Sequence, residues 1–211
     1  MAVLYFLGGE DVEKRDSIQI NKMAFTKAGE LPFVLYFPWT ARTIDKHRRI
    51  ISEYFKELCA RRIEFVELSD TLDEIVKKVN ESDLIYLPGG DTKLLVERLK
   101  NAKVSRLLQN YDKVILGNSA GALALCRDCI ITKSKRHLET RIFQGLGLVD
   151  FSVDVHYEPS KDEELMRLSK ERRIYAIPEK SALVYDKGYM SPIGKVFLFE
   201  KGVKSKYIAP D

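Results

Sequence analysis

The chain has 211 residues, 45% of them hydrophobic and 31% charged, which is enough apolar material for one buried core and predicts a single domain over residues 1–211. The 35 basic and 31 acidic residues give a net charge of +4 and are interleaved, which argues against a nucleic-acid partner, because nucleic-acid binders usually concentrate positive charge on one face. No apolar run approaches the ~18 residues of a membrane span, and residues 1–9 lack the basic start and the cleavage site of a signal peptide, so we expect a cytoplasmic protein without a membrane partner.

Short apolar runs alternate with longer amphipathic ones in the first half of the chain. The predicted strands are 2–7, 32–37, 63–68, 83–87 and 114–116. The predicted helices are 42–62, 71–79 (capped by Ser69 or Asp70), 92–99 and 104–109. Regular alternation of strand and helix predicts an α/β fold with a largely parallel central sheet.

The pattern changes in the second half. The predicted strands there are 129–132, 153–156, 174–177, 182–185 and 195–199, with one clear helix at 161–172. Strands that follow one another without intervening helices indicate some antiparallel pairing. Segments 8–18 and 133–144 are polar enough to act as lids over a site.

The run Gly117-Asn118-Ser119-Ala120-Gly121 lies between a predicted strand and an apolar helix. A serine hydroxyl becomes a good nucleophile when it projects from a sharp turn and a base can take its proton. Small neighbours make such a turn sterically possible, and the start of the helix offers free N–H groups. Ser119 is therefore the predicted nucleophile. The alternatives for this pattern are a capping serine or a phosphate-binding loop.

Gly89 and Gly90 end the preceding predicted strand. Because ligands of parallel sheets bind beyond the carboxyl ends of the strands, this turn is expected at the same edge as Ser119. A glycine lets a backbone N–H approach a substrate oxygen, so the amides of Gly90 and Ala120 are the predicted oxyanion donors. The alternative is an ordinary turn.

Only three histidines could serve as the base: His47, His137 and His156. The first two lie in polar, basic stretches and are expected to be solvent-exposed. His156 ends an alternating strand in the same half as the elbow, which makes it the predicted base.

The orienting acid is predicted to be Glu179, which follows the strand 174–177 and can approach the imidazole from behind. Asp154 and Glu158 are the alternatives. Asp154 lies on the same strand face as His156 by alternation and is interpreted as a neighbour rather than as the acid.

Together these segments resemble the peptidase E family of serine peptidases, which includes aspartyl dipeptidases and, more distantly, cyanophycinases. The resemblance covers most of the chain and rests on Leu87-Pro88-Gly89-Gly90-Asp91-Thr92, Gly117-Asn118-Ser119-Ala120-Gly121-Ala122, segment 145–149 followed by Asp154-Val155-His156-Tyr157, and Ile177-Pro178-Glu179. It implies a fold similar to class I glutamine amidotransferases, that is, an α/β three-layer sandwich around a largely parallel, mixed central sheet. It also implies Ser119 as nucleophile, His156 as base, and Gly90 with Ala120 as the oxyanion hole.

The chain departs from aspartyl dipeptidases at two places. Those enzymes carry an aspartate shortly after the elbow helix, whereas segment 131–135 here has none, which favours Glu179 as the acid. They also carry a basic segment after the histidine with an arginine that reads the substrate aspartate, whereas segment 158–164 here is acidic. Arg167 and Arg172 are the nearby arginines. A preference for N-terminal aspartate is therefore not expected.

The sequence thus predicts a serine peptidase that hydrolyses short peptides through an acyl-enzyme, acting as a monomer or homodimer without a cofactor or metal. Gly89, Asp91, Asn118 and Arg167 are the predicted substrate-binding residues. The alternative functions are an esterase or amidase on non-peptide substrates and a non-catalytic binding protein.

The pair Cys126 and Cys129 matches a Cys-x-x-Cys spacing but lacks the second ligand pair of a zinc site. It also falls at the end of the elbow helix rather than at a helix start, so both cysteines are predicted to be buried and structural.

Overall fold

The computed structural model of the chain describes residues 1–41, 45–133 and 138–209, except for the side chains of residues 45–47. His137 and the side chain of His47 lie outside this description.

The central sheet has seven strands in the order β11-β10-β1-β5-β4-β2-β3. These strands are β1 (Val3–Leu7), β2 (Phe33–Tyr36), β3 (Arg62–Phe65), β4 (Leu84–Leu87), β5 (Val114–Asn118), β10 (Ala182–Asp186) and β11 (Tyr189–Ile193). The first five pair in parallel, and β10 and β11 add an antiparallel edge. The prediction of a largely parallel, mixed central sheet is confirmed.

Helices cover both faces of this sheet. They are α1 (Ile18–Ala28), α2 (Asp45–Glu57), α3 (Leu72–Glu81), α4 (Thr92–Asn101), α5 (Val104–Asn110) and α6 (Ala120–Leu125). A seventh helix, α7 (Asp162–Leu168), packs elsewhere, against strands late in the chain. Alternate side chains along β1 separate the two cores: Tyr5 and Leu7 pack with α1 and α2, whereas Leu4 and Phe6 pack with α3 to α6. The three-layer α/β architecture predicted from the sequence is therefore confirmed.

The second half of the chain also forms a separate four-stranded sheet, which the sequence did not indicate. Its order is β13-β12-β9-β8, where β8 is Ser152–Val155, β9 is Ile174–Ile177, β12 is Phe197–Glu200 and β13 is Val203–Lys206. Its strands β8 and β9 run parallel. Val153, Val155, Tyr175 and Ile177 join the core on the α3 to α6 side, whereas Ile174 and Ala176 pack with Leu165 of the last helix. A two-stranded antiparallel sheet, β6 (Asp128–Ile131) with β7 (Arg141–Gln144), completes the structure described.

Several element bounds differ from the prediction. The cap of α3 is Thr71 rather than Ser69 or Asp70, and it forms a reciprocal capping box with Glu74. The strand before the elbow continues through Gly117 to Asn118, because pairing with β1 satisfies its backbone. Helix α7 is shorter than expected and follows a 3₁₀ turn at Pro159–Lys161. Helix α1 and strands β7, β11 and β13 were not predicted, because their patterns of apolar residues are weak.

The two cysteines of the Cys-x-x-Cys pair are buried, as predicted, and their thiols point at backbone carbonyls of α6. Burial raises the pKa of the Cys129 thiol to about 12 and that of Cys126 well above its usual value, so neither is primed as a thiolate. Within the described part of the chain, no helix is long and apolar enough to cross a membrane.

Candidate active site

Ser119 lies on a sharp turn between β5 and α6, with φ 48° and ψ −102°. An L-residue adopts positive φ only when the surrounding structure holds it there, and such residues cluster at functional sites. The turn depends on its two flanking glycines. A Cβ on Gly117 would lie 2.6 Å from the Ala122 nitrogen, and one on Gly121 would overlap the Leu87 carbonyl. This is the elbow geometry predicted for the Gly-x-Ser-x-Gly run.

A hydrogen-bonded relay connects Ser119, His156 and Glu179. The Ser119 Oγ lies 2.8 Å from His156 Nε2, and His156 Nδ1 lies 2.9 Å from Glu179 Oε1. Because an ionised carboxylate can only accept, the proton of the neutral imidazole belongs on Nδ1, and Nε2 is left free to accept from the serine. The structure therefore brings together the three residues predicted as nucleophile, base and acid.

Two neighbouring strands of the separate four-stranded sheet place His156 and Glu179 side by side. Val155 of β8 and Ile177 of β9 are register partners, and His156 and Glu179 follow them at the ends of their strands. His156 has φ 49°, and Lys180, next to Glu179, has φ 58°. The imidazole and the carboxylate are 42% and 62% exposed, so their hydrogen bond competes with water.

The two alternative acids lie outside the relay. Asp154 is buried and ion-paired with Lys161 at 3.0 Å, and it also accepts from the Thr132 hydroxyl at 2.8 Å. Burial raises the pKa of Asp154, although Lys161 opposes the shift. Glu158 is exposed, and no described side-chain contact connects it to His156. Of the three candidate acids, Glu179 is the one hydrogen-bonded to the His156 ring within the described part of the chain.

The backbone amides of Gly90 and Ala120 lie at the edge of the sheet beside Ser119 and donate no hydrogen bond within the described residues. Three neighbouring amides are already used: Ser119 N donates to Leu7 O, Gly121 N to Pro88 O, and Asp91 N to Thr40 O. Within the described residues, neither Gly90 N nor Ala120 N has an acceptor. Free backbone donors beside a nucleophile can stabilise a developing oxyanion.

Thr40 fixes the conformation of the glycine turn. Gly90 has φ 132°, and a Cβ there would lie 2.8 Å from the Thr40 Cβ. Arg98 holds the Thr40 segment by donating to the carbonyls of Trp39 and Ala41 at 3.0 and 2.7 Å. The sequence reasoning missed Thr40, because its side chain reaches the site from a strand-end loop that carries no motif.

The predicted substrate-binding residues differ in their surroundings. Gly89 lies against Ser119 and Asn118, and Asn118 is 4% exposed with no partner for its Oδ1 among the described residues. Asp91 caps α4, because its side chain accepts from Leu94 N at 3.0 Å. Arg167 is exposed on α7, a helix that packs against β12 and β13, and no described contact connects it to the relay.

The end of β1 supplies contacts that the sequence did not predict. A Cβ on Gly9 would lie 2.5 Å from His156 Nδ1, so only glycine leaves room for the imidazole. The next residue, Glu10, accepts hydrogen bonds from Asn21, Tyr54 and Tyr86. Burial raises the pKa of the Glu10 carboxyl, and these three donors oppose the shift. The only local signal is the Gly-Gly-Glu run directly after the first strand.

Comparison with known proteins identifies the family that this chain matches. The model of peptidase family S51 matches residues 5–193. An uncharacterized peptidase of Listeria monocytogenes is 29% identical over 104 residues, which are 46% of this chain and 51% of that protein. One of Pasteurella multocida is 33% identical over 94 residues, 41% of this chain and 45% of that protein. The matched part of the chain thus spans about half the length of these curated relatives.

Two solved structures share the fold over nearly the whole chain. A peptidase from an acI-B1 Actinobacterium has a TM-score of 0.76 and covers 100% of this chain and 96% of its own. A candidate peptidase E protein from Listeria monocytogenes has a TM-score of 0.67, with coverage of 98% and 99%. Both are 20% identical to this chain, so they establish the fold, and the predicted resemblance to peptidase E proteins is confirmed.

Proposed function

The chain belongs to peptidase family S51, and on that premise we propose that it is a serine peptidase that hydrolyses short peptides through an acyl-enzyme. The observation that carries the proposal is the relay from Ser119 Oγ to His156 Nε2 at 2.8 Å and from His156 Nδ1 to Glu179 Oε1 at 2.9 Å. A base within hydrogen-bond reach of a hydroxyl, itself oriented by a third group, is the arrangement that activates a serine.

In the first step, His156 Nε2 takes the Ser119 proton as Oγ attacks the peptide carbonyl. The carbonyl oxygen becomes negative and is held by the free amides of Gly90 and Ala120. The imidazolium then gives its Nε2 proton to the leaving amine, and an ester of Ser119 remains. In the second step, a water loses its proton to His156 and attacks the ester, which releases the acid and restores the Ser119 hydroxyl.

Glu179 accepts from Nδ1 throughout this cycle. The bond keeps the proton off Nε2 in the resting enzyme and stabilises the imidazolium while it exists. Since the carboxylate is 62% exposed, water screens it, and its contribution is expected to be smaller than that of a buried acid.

A preference for N-terminal aspartate is not part of the proposal. The acidic segment after His156 carries Glu158, Asp162, Glu163 and Glu164, and the arginine that could read a carboxylate, Arg167, lies on α7 outside the described contacts of the relay. We expect peptides without an acidic first residue to be cleaved at least as well as peptides that begin with aspartate.

A reducing, cytoplasmic location is also proposed, in keeping with free thiols at Cys59, Cys126 and Cys129.

The test is a screen of dipeptides and tripeptides with the wild type, Ser119→Ala and the control Ser105→Ala, a serine of α5. Labelling by a fluorophosphonate probe is measured in parallel, and the modified residue is located by mass spectrometry. We expect turnover and labelling in the wild type and control and neither in Ser119→Ala. Hydrolysis of simple esters but of no peptide would make the protein an esterase, and a folded wild type without labelling or turnover would make it a non-catalytic binding protein.

A further inference from the structure

Three consecutive carbonyls at the end of β1 hold the three segments of the relay. Leu7 O accepts from Ser119 N at 3.1 Å, Gly8 O accepts from His156 N at 2.7 Å, and Gly9 O accepts from Lys180 N at 3.3 Å. One short stretch of backbone thus contacts the nucleophile, the base and the residue next to the acid. We call residues 7–10 the β1 clamp.

The residues held by the β1 clamp are in strained conformations. Ser119, His156 and Lys180 have φ of 48°, 49° and 58°, values that are unfavourable for residues other than glycine. Such conformations persist only where the surroundings restrain them. The β1 clamp supplies one backbone hydrogen bond to each of the three.

Glu10 fixes the end of the β1 clamp to the body of the protein. Its Oε1 accepts from Tyr54 OH at 2.6 Å and from Asn21 Nδ2 at 2.7 Å, and its Oε2 accepts from the same Nδ2 at 2.8 Å and from Tyr86 OH at 3.2 Å. Asn21, Tyr54 and Tyr86 are each fully buried, and they come from α1, α2 and β4. One carboxylate therefore joins the clamp to three separate elements.

The hydrogen bonds of this carboxylate indicate holding rather than ligand binding. Three neutral donor groups make four contacts with its two oxygens, and the same Asn21 Nδ2 also donates to Tyr54 OH at 2.6 Å, so both oxygens are already engaged by the protein. Among the described residues, no lysine or arginine is ion-paired with Glu10. A partly buried carboxylate without a cation is costly unless it is hydrogen-bonded, and these donors supply the hydrogen bonds.

We propose that Glu10 is a positioning residue, which acts through the β1 clamp to hold Ser119 and His156 in reacting geometry. The expected effects on kcat and KM rest on the proposed function, whereas the expected change in the alignment of Ser119 and His156 does not. Loss of the anchor is expected to lower kcat, because the relay becomes misaligned, and to leave KM nearly unchanged, because both Glu10 oxygens are engaged by the protein.

The test compares Glu10→Gln, Tyr54→Phe and Tyr86→Phe with the matched control Tyr111→Phe. Glu10→Gln puts an amide donor where the partners also donate, and each tyrosine variant removes one hydroxyl. Tyr111 is also a buried tyrosine with a bonded hydroxyl, but it precedes β5 at the opposite end of the sheet. Urea denaturation gives the stability of each variant, and rates are expressed per folded molecule. Proton NMR follows the Nδ1 proton of His156 at low field.

We expect kcat and the fluorophosphonate labelling rate to fall about tenfold or more in Glu10→Gln, since small misplacements of reacting groups are costly. KM should stay within about twofold, and the His156 Nδ1 proton should shift or broaden. Tyr111→Phe should change none of these. Unchanged kcat, labelling and NMR signal in Glu10→Gln would overturn the proposal, as would a rise in KM alone for peptides with a free amino terminus. A wild type without turnover or labelling would defeat the proposed function, while the NMR comparison would still test the anchor.

Discussion

Gly9→Ala tests the packing of the β1 clamp on His156, the proposed base. The new Cβ would lie 2.5 Å from His156 Nδ1 and closer still to Cε1. Unbonded heavy atoms prefer separations of about 3.5–4.0 Å, so the imidazole or the Gly9 backbone must move by roughly 1 Å. The hydrogen bonds on the two ring nitrogens are 2.8 and 2.9 Å long, so a shift of that size breaks or misaligns both.

A displacement of about 1 Å in a reacting group can cost about 100-fold in rate. We therefore expect kcat of Gly9→Ala to fall about 100-fold or more, with a parallel loss of fluorophosphonate labelling. The backbone itself adds a stability cost, because φ at Gly9 is 147° and an alanine there costs about 1–3 kcal/mol.

The control variant Gly29→Ala separates the displacement of His156 from the backbone cost of a positive φ. Gly29 follows α1 with φ 143°, nearly the angle of Gly9, but a Cβ there would meet nothing within 4 Å. Both variants should lose similar backbone stability in urea denaturation, and only Gly9→Ala should lose kcat per folded molecule. Wild-type kcat in a folded Gly9→Ala would refute the reasoning, as would an equal loss of kcat in Gly29→Ala.

Three further predictions follow from the same geometry. Glu179→Gln should lower kcat about 5- to 30-fold, since an exposed hydrogen bond of a charged group contributes about 1–2 kcal/mol, and the exposed acid Glu158→Gln should match the wild type in the same assay. Asp154→Asn leaves the Lys161 ammonium, 11% exposed, without its counter-ion and should lower the free energy of unfolding by about 3–5 kcal/mol in urea; a change under about 1 kcal/mol would contradict the ion pair. Because burial raises the pKa of Glu10, its native carboxyl binds protons more tightly than the unfolded one, so the stability of the wild type relative to Glu10→Gln should fall as the pH rises from about 4 through the raised pKa; a flat difference across urea titrations would argue that the carboxyl is not desolvated.

The sequence was sufficient for the parts of the site that follow from local patterns. Ser119 lies in a run whose small residues allow a sharp turn, and the strand before it is apolar and short. His156 and Glu179 end strands, where side chains of parallel neighbours meet. The central sheet could be predicted for the same reason, because strands and helices alternate with clear periods along the first half of the chain.

The parts that escaped prediction depend on contacts between distant segments. Glu10 lies in a polar stretch that suits a solvated lid, and its partners Asn21, Tyr54 and Tyr86 have no common spacing with it. Nothing local distinguishes a strand of the separate four-stranded sheet from one of the central sheet, since both show the same short apolar pattern. The surroundings of Glu10 and the sheet to which a strand belongs depend on contacts between residues far apart in the sequence. Local patterns therefore do not predict them.

The exposure of Glu179 and the positive φ of Ser119 and His156 together indicate which contacts align the relay. An acid that is 62% exposed competes with water for the Nδ1 proton, so Glu179 alone restrains the imidazole weakly. Ser119 and His156 nevertheless hold positive φ, which requires restraint from elsewhere. The carbonyls of the β1 clamp provide it, and Glu10 ties them to three buried partners. It follows that loss of kcat should be larger for Gly9→Ala than for Glu179→Gln, the reverse of the order expected if the acid were the main orienting group.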